Sequence, residues 1–375
     1  MERRLFLMGL LGSGIVVACS SRSGTGNVAL PSPSAKEQRA TIAALKPPKR
    51  QRPLIAILAD NRGSETTDLM VPYSVLTRSG IADVTVVAPD ASPISLMPAL
   101  TIRPQSTLAA VDKAHPDGAD YVIVPAFHHD DRKGPILDWL RRQAASGSTV
   151  IGICEGARVL GRAGLLDGKR ATTHWYAASS LRRAHPAMEW VRDRRYVADR
   201  GVVTTTGVSA SIPVSLALVE AIAGAGAAAR LAEHLGSDDH DAAHDSNRFG
   251  LNAGWVSLVA GNSLAFWGHE TIGLPVSNGI DDIALALTAD AWSRTYRSKA
   301  VTTGEEEFVT TRDGLTLQVD RKAQGRPVDF ALPVLGKNHP AQSLDTALSG
   351  IAARHGAGTA RLVALQLEYL WEGRG

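Results

Sequence analysis

The sequence predicts an α/β protein, a three-layer α/β/α arrangement around a parallel sheet, followed by a second, degenerate α/β lobe. Three observations predict it. Short apolar runs at 54–59, 84–88, 121–125 and 149–153 alternate with stretches of helical spacing, the mark of βαβ units whose sheet is covered on both faces. The run at 149–153 stops at Cys154, and Glu155-Gly156-Ala157 opens a helical pattern, so a strand passes through a tight turn into a helix. Residues 249–375 repeat patterns of the first part: Gly314-Leu315-Thr316-Leu317 echoes Ala99-Leu100-Thr101-Ile102 at an offset of 215 (315 − 100).

The elements follow in order. Residues 1–19 read as an export signal. Arg3-Arg4 supply its charge, and 5–18 form an apolar core too short to prefer spanning a bilayer. Arg3-Arg4-Leu5-Phe6-Leu7 resembles a twin-arginine signal, and Val16-Val17-Ala18-Cys19 a lipobox, which implies acylation of Cys19. The alternative is a plain N-terminal membrane anchor. The expected location is the cell envelope, exported and lipid-anchored on the periplasmic side. Residues 20–52, rich in Ser, Gly, Pro and Lys, read as a disordered tether.

The first domain spans 53–236. Its first strand, at 54–59, leads through a polar loop into a helix over 68–79, stopped by Gly80. A strand at 84–88, another at 121–125, a helix at 136–145 and the strand at 149–153 follow. A late strand at 202–206 leads into an apolar helix over 213–223. Residues 237–248 are a charged linker. In it His240 and His244 stand at i, i+4 among Asp238, Asp239, Asp241 and Asp245, but solvated charge explains them better than a metal site. The segment 251–268 is apolar but interrupted by Asn252, Asn262 and Ser263, and reads as a core helix. In the second lobe Asp282-Ile283-Ala284-Leu285 is set against Asp68-Leu69-Met70-Val71, and 351–366 against the approach to Cys154. The second lobe has no cysteine.

Composition narrows the function. A net charge of +3 over 375 residues gives no footprint for nucleic acid. An export signal also removes the chain from DNA, and no helix-turn-helix pattern follows the first domain. Only two cysteines are present; with Cys19 acylated, Cys154 has no disulfide partner. At the tip of a strand–helix turn it is either a reactive thiol, its pKa lowered by the helix N-terminus, or a small hydrophobe packed at a strand end. Gly156 lets another backbone approach closely.

Cys154-Glu155-Gly156-Ala157, Ala163-Gly164-Leu165-Leu166-Asp167-Gly168 and Ala171-Thr172-Thr173-His174-Trp175 together resemble the ThiJ/PfpI superfamily of class I glutamine-amidotransferase-like proteins. The likeness is greatest to the amidase-like lobe of AraC-type regulators. Gly63-Ser64-Glu65-Thr66-Thr67-Asp68 resembles its first βα turn, and Thr205-Thr206-Gly207-Val208 its late strand-to-helix turn beside the pocket. The resemblance implies a flavodoxin-like sheet, Cys154 as nucleophile, and Asp68 as a carboxyl facing it. Asp68 would be kept protonated by burial and like charge, and so able to donate to sulfur. His174 either orients and relays or serves only structure. Backbone N–H groups at Glu155 and across the cleft would hold an oxyanion.

Two departures stand out. Pro125-Ala126-Phe127-His128-His129 stands where the family has Pro-Gly-Gly, which narrows or reshapes the pocket; His128 either reaches in as a donor or, the better reading, is a solvated loop histidine. Glu155 places a negative charge beside the thiol. No cofactor or metal is implied. The partners are a small-molecule substrate or ligand and a membrane through Cys19, and the second lobe would stand in for a dimer partner within one chain. Three functions stay open: a cysteine-dependent hydrolase, hydratase or lyase acting on a small electrophile; a ligand or redox sensor; and a scaffold lipoprotein with a vestigial site.

Overall fold

The computed structural model describes residues 32–45, 47–131, 133–237, 240–322, 327–336 and 338–373. The predicted export signal, Cys19 and the start of the tether lie outside them. Helix α1 (Ala35–Ala44) precedes β1 (Leu54–Leu58), β2 (Ser64–Glu65), α2 (Thr66–Ser79), β3 (Asp83–Ala88), β4 (Ile94–Met97), β5 (Thr101–Ile102) and β6 (Ser106–Thr107). Next come α3 (Leu108–Ala114), β7 (Tyr121–Val124), α4 (Pro135–Ala145), β8 (Thr149–Gly152) and α5 (Gly156–Arg162). The first lobe closes with β9 (Arg170–Ala171), α6 (Ala178–Ala184), β10 (Glu189–Trp190), β11 (Tyr196–Asp199), β12 (Val202–Thr205), α7 (Ser211–Ala223) and α8 (Ala225–Leu235).

A seven-stranded sheet runs β11-β12-β8-β7-β1-β3-β6. Its neighbours are parallel except β11 and β12, which pair antiparallel. The pleat sends alternate residues of β1 to opposite faces. Ile55 and Ile57 join one core with Leu69, Leu76, Leu216 and Leu218. Leu54, Ala56 and Leu58 join another with Val111, Trp139, Leu140 and Leu160. Two cores, one on each side of the sheet, make the predicted three layers.

The C-terminal half holds α9 (Ala253–Leu264), β13 (Glu270–Pro275), α10 (Asp282–Ser293), β14 (Ser298–Gly304), β15 (Phe308–Thr310), β16 (Thr316–Gln318), β17 (Arg321–Lys322), β18 (Phe330–Ala331), α11 (Ser343–His355) and α12 (Ala357–Gln366). Its sheet order, β17-β14-β13-β18, reproduces β6-β3-β1-β7. Glu65 caps α2 by accepting from Asp68 N–H, and Asp281 caps α10 by accepting from Ala284 N–H, an offset of 216 (281 − 65). Helices α7 and α8 break at Gly224, and α11 and α12 break at Gly356, both glycines at φ +87°. Leu317 pairs with Ile102, the position 215 residues earlier, so β15, β16, β5, β4 and β2 form one sheet across the two lobes.

This register corrects two sequence expectations. The counterpart of Asp68 is Ala284, not Asp282, because the caps and not the acidic residues align. Residues 351–366 correspond to α7–α8, not to the approach to Cys154. A short connection joins β18 to α11, where the first lobe inserts β8, the cysteine turn and β9 to β12.

Three further expectations change. Half of the predicted tether is folded: Ser34 caps α1, Glu37 pairs with Arg194 at 2.6 Å, and Leu45 is buried. The described part of the predicted linker is laced into the fold: Ala242 and Ala243 accept from Arg195, and His244 is buried. Helix α9 is not a core helix. Only Val259 and Asn262 of it are buried, while Leu264 is 70% and Trp267, just beyond it, 80% exposed. Among the described residues no helix is long and apolar enough to cross a membrane.

Candidate active site

Strand β8 ends at Gly152, and two residues later Cys154 takes φ +54°, in the left-handed region that non-glycine residues rarely adopt. Its N–H donates to Thr205 Oγ1 at 3.0 Å, and its carbonyl accepts from Thr173 Oγ1 at 2.8 Å, so β12 and the 171–175 segment hold the turn in place. Gly156 is obligatory here: a Cβ would lie 2.1 Å from Val124 O. The cysteine therefore stands at the carboxyl edge of the sheet, where open α/β folds place ligands.

Asp68, in the first turn of α2, is fully buried. Its Oδ2 accepts from Ala126 N–H at 3.1 Å, and its Oδ1 has no hydrogen-bond partner among the described residues. Burial pushes its pKa up to about 7; the Ala126 hydrogen bond and the Arg294 charge oppose the rise. Cys154 is 7% exposed, and its thiol is pushed up rather than down. Burial is the largest cause, followed by the negative charges of Asp68, Glu155, Glu65 and Glu368. The direction is thus opposite to the lowering expected of a reactive thiol at a helix N-terminus, and agrees with the alternative of a thiol packed at a strand end.

The remaining predicted residues fall around this pair. His174 is buried; its Nε2 lies 3.1 Å from Gln366 O, and its Nδ1 accepts from Tyr176 N–H at 3.4 Å. Both ring nitrogens thus face atoms other than the sulfur, in the Nε2–H tautomer. Glu155 pairs with Arg158 at 3.2 Å. Ala126, across the cleft, gives its N–H to Asp68 and accepts from Glu65 N–H at 2.9 Å. His128 is exposed and donates its N–H to Gly63 O. Phe127 lines a separate cavity of about 230 Å³ with His129, Asp60 and Arg162. Thr206 N–H donates to Arg195 O, and Gly207 N–H to Glu368 Oε2 at 2.7 Å. A cavity of about 610 Å³ lies in the second lobe around Trp292, Phe330 and Ala347. Cys154 lines neither of these two cavities. His240 faces Glu220 and His244 faces Glu368, so the two histidines do not converge.

Three residues that sequence reasoning did not single out belong to the site: one lies inside the first βα-turn motif, and two come from outside the first lobe. Glu65 accepts Asp68 N–H at 2.6 Å and is itself pushed well up by burial and by Asp290 and Asp68. Arg294, at the end of α10, donates to Glu65 at 2.7 Å. Glu368, just after α12 and buried, takes the N–H groups of Gly207 and Trp175, and His244 Nε2 lies 3.0 Å from its Oε1. Matching helix caps in the two lobes would have paired Glu65 with Asp281 and Arg78 with Arg294, but nothing local marks Glu368.

The DJ-1/PfpI family model matches residues 54–221. Isonitrile hydratase of Pseudomonas putida is 35% identical over 163 residues, which cover 42% of this chain and 67% of that protein. The chain belongs to the DJ-1/PfpI family. The HTH-type transcriptional regulator CdhR of Pseudomonas aeruginosa is 33% identical over 123 residues, 31% of this chain and 36% of that one. The crystal structure of Drosophila melanogaster DJ-1beta aligns at 23% identity and a TM-score of 0.45, covering 50% of this chain and 100% of that one. The chain thus spans about two thirds of the hydratase and about a third of the regulator. The DJ-1/PfpI match ends before the second lobe, which supplies Arg294 and Glu368.

Proposed function

We propose that the chain is an envelope lipoprotein whose first lobe adds water to a small, uncharged electrophile, with Cys154 as nucleophile and Asp68 as proton carrier. The observation that carries this reading is Asp68: a buried carboxyl with one oxygen fixed by Ala126 N–H, the other without a partner, and a proton exchangeable near neutral pH. The isonitrile hydratase relative suggests the substrate class. On an isonitrile R–N≡C, the sulfur bonds the terminal carbon, and that carbon takes the thiol's proton by way of Asp68. The product of this step is a thioimidate, R–N=CH–S. Water then attacks the same carbon, the C–S bond breaks, the sulfur regains a proton, and R–NH–CHO leaves. The sum is one isonitrile and one water to one formamide. A neutral substrate suits a site crowded with carboxylates, where an anion would be repelled.

A sensing module is the second reading. It is favoured by the enclosure of the thiol, 7% exposed, and by the regulator among the relatives. One experiment separates the readings: follow loss of an alkyl isonitrile and of methylglyoxal, and in parallel alkylation of Cys154. Turnover abolished by Cys154→Ser supports the hydratase. Alkylation without turnover supports the sensor, and an inert thiol leaves the scaffold. The envelope assignment rests on 1–19 of the sequence; it predicts palmitate labelling that Cys19→Ala removes. In this reading the second lobe takes a dimer partner's place within one chain, and the partners are a small molecule and the membrane, not nucleic acid. An obligate dimer by size-exclusion chromatography would count against that part.

A further inference from the structure

Arg294 caps the end of α10 in the cysteine-free lobe. Its Nε donates to Asp290 Oδ1 at 2.6 Å, and its Nη2 to Glu65 Oε1 at 2.7 Å and Asp290 Oδ2 at 3.3 Å. Thr67 Oγ1 lies between the same two carboxylates, 2.9 Å from Glu65 Oε2 and 3.2 Å from Asp290 Oδ2. Glu65 in turn accepts the N–H of Asp68. A cation of the second lobe therefore reaches the carboxylate that caps the helix carrying Asp68, and its charge also bears on Cys154.

The counterpart in the first lobe is Arg78 (294 − 78 = 216). Its Nη2 lies 2.9 Å from Asp281 and 2.8 Å from Asp313, at the cap of α10. There Ala284 stands in the place of Asp68, and no cysteine follows. Each lobe sends an arginine to the helix cap of the other, and only one of those caps adjoins a thiol.

We infer that Arg294 is a positioning residue for the cysteine site: from across the lobe boundary it anchors the Glu65 side chain at the start of α2 and offsets the negative charge gathered around Cys154. The groups facing this centre are Glu65 and Asp68 from α2 and its cap, Asp290 and Arg294 from α10, Glu155 at the elbow, and Glu368 after α12, itself faced by His174 and His244. Arg158 answers Glu155 and Asp130 at the rim. Arg294 alone of these cations bonds to Glu65 and Asp290 among the described residues. The inference rests on the reading of Asp68 and Cys154 as the reacting pair, but its readout needs no turnover.

The test uses the full chain carrying Cys19→Ala, which leaves Cys154 as the sole cysteine. Iodoacetamide alkylation is followed from pH 7 to 12, a range that extends well above the ordinary thiol midpoint because the Cys154 thiol is pushed up. Arg294→Met should move the midpoint up by about one pH unit, so that alkylation below the midpoint is roughly tenfold slower. Arg294→Lys should restore much of the rate, and Arg78→Met should leave the midpoint where it was. An unmoved midpoint in Arg294→Met, or an equal shift in Arg78→Met, overturns the inference. If Arg294→Met does not fold, Glu65→Gln serves: loss of a carboxylate facing the thiol should move the midpoint down, and an unmoved midpoint overturns the inference equally. Absence of isonitrile turnover, by contrast, would sink the functional reading and leave this measurement readable.

Discussion

Asp68→Asn should stabilise the protein while removing its activity. Asp68 is fully buried, and its pKa rises from 3.8 to about 7 on folding. The folded state therefore holds the proton more tightly than the unfolded state. The sign follows: stability falls as pH climbs from the unfolded value towards 7, and is flat above it. A shift of that size corresponds to roughly 4 kcal/mol lost at pH 8 relative to pH 3. Asparagine is neutral throughout, and its oxygen can still accept from Ala126 N–H. The advantage of Asn over Asp should therefore grow by roughly 3 kcal/mol between pH 5 and 8. Titration of the neighbouring Glu65, itself pushed up by burial, would spread the slope over a wider range. Urea unfolding followed by tryptophan fluorescence, at matched pH on both chains, measures it. A difference flat with pH, or an Asn chain less stable than wild type at pH 8, would refute the placement of a protonated carboxyl at this position.

Other predictions follow from single contacts. Cys154→Ser should lower isonitrile hydration by at least about a thousandfold, because a hydroxyl is the weaker nucleophile, with stability changed by less than about 1 kcal/mol; steady-state rates and urea midpoints check this. Gly156→Ala drives a methyl to 2.1 Å from Val124 O and should cost about 3 kcal/mol, seen as a lowered urea midpoint. Glu368→Ala leaves Gly207 N–H, Trp175 N–H and His244 without their acceptor in a buried site and should cost about 3 kcal/mol or more, seen as a lowered urea midpoint. Trp267→Ser, at an 80% exposed side chain, should change stability by less than about 0.5 kcal/mol.

What could be read from the chain alone was local. The apolar run at 54–59, the helix stopped by Gly80 and the strand ending before Cys154 all use short-range signals: burial on both faces, a left-handed glycine cap, a tight turn. The repeat was visible at Thr101 and Thr316 because hairpin strands keep their spacing. Its register at α10 was not, because Asp282 matches Asp68 in type while Asp281 matches Glu65 in role. The direction of the Cys154 pKa stays open between two readings in the sequence for a similar reason. A helix N-terminus is legible in sequence, and the family resemblance supplies Asp68, but two further carboxylates around the sulfur, Glu65 and Glu368, arrive from 89 and 214 residues away (154 − 65, 368 − 154). Residues 35–45 and 240–248 look solvated by composition. They fold because a few contacts, Glu37 with Arg194 and His244 with Glu368, find partners that composition does not reveal.

The most direct measurement is the intact mass of the chain, with Cys19→Ala, quenched during incubation with an alkyl isonitrile and then mapped by peptide. The account predicts a species heavier by one whole isonitrile, located on the peptide holding Cys154, missing in Cys154→Ser. Formamide produced with that peptide unmodified throughout, or a Cys154→Ser chain that makes product at the wild-type rate, would contradict it.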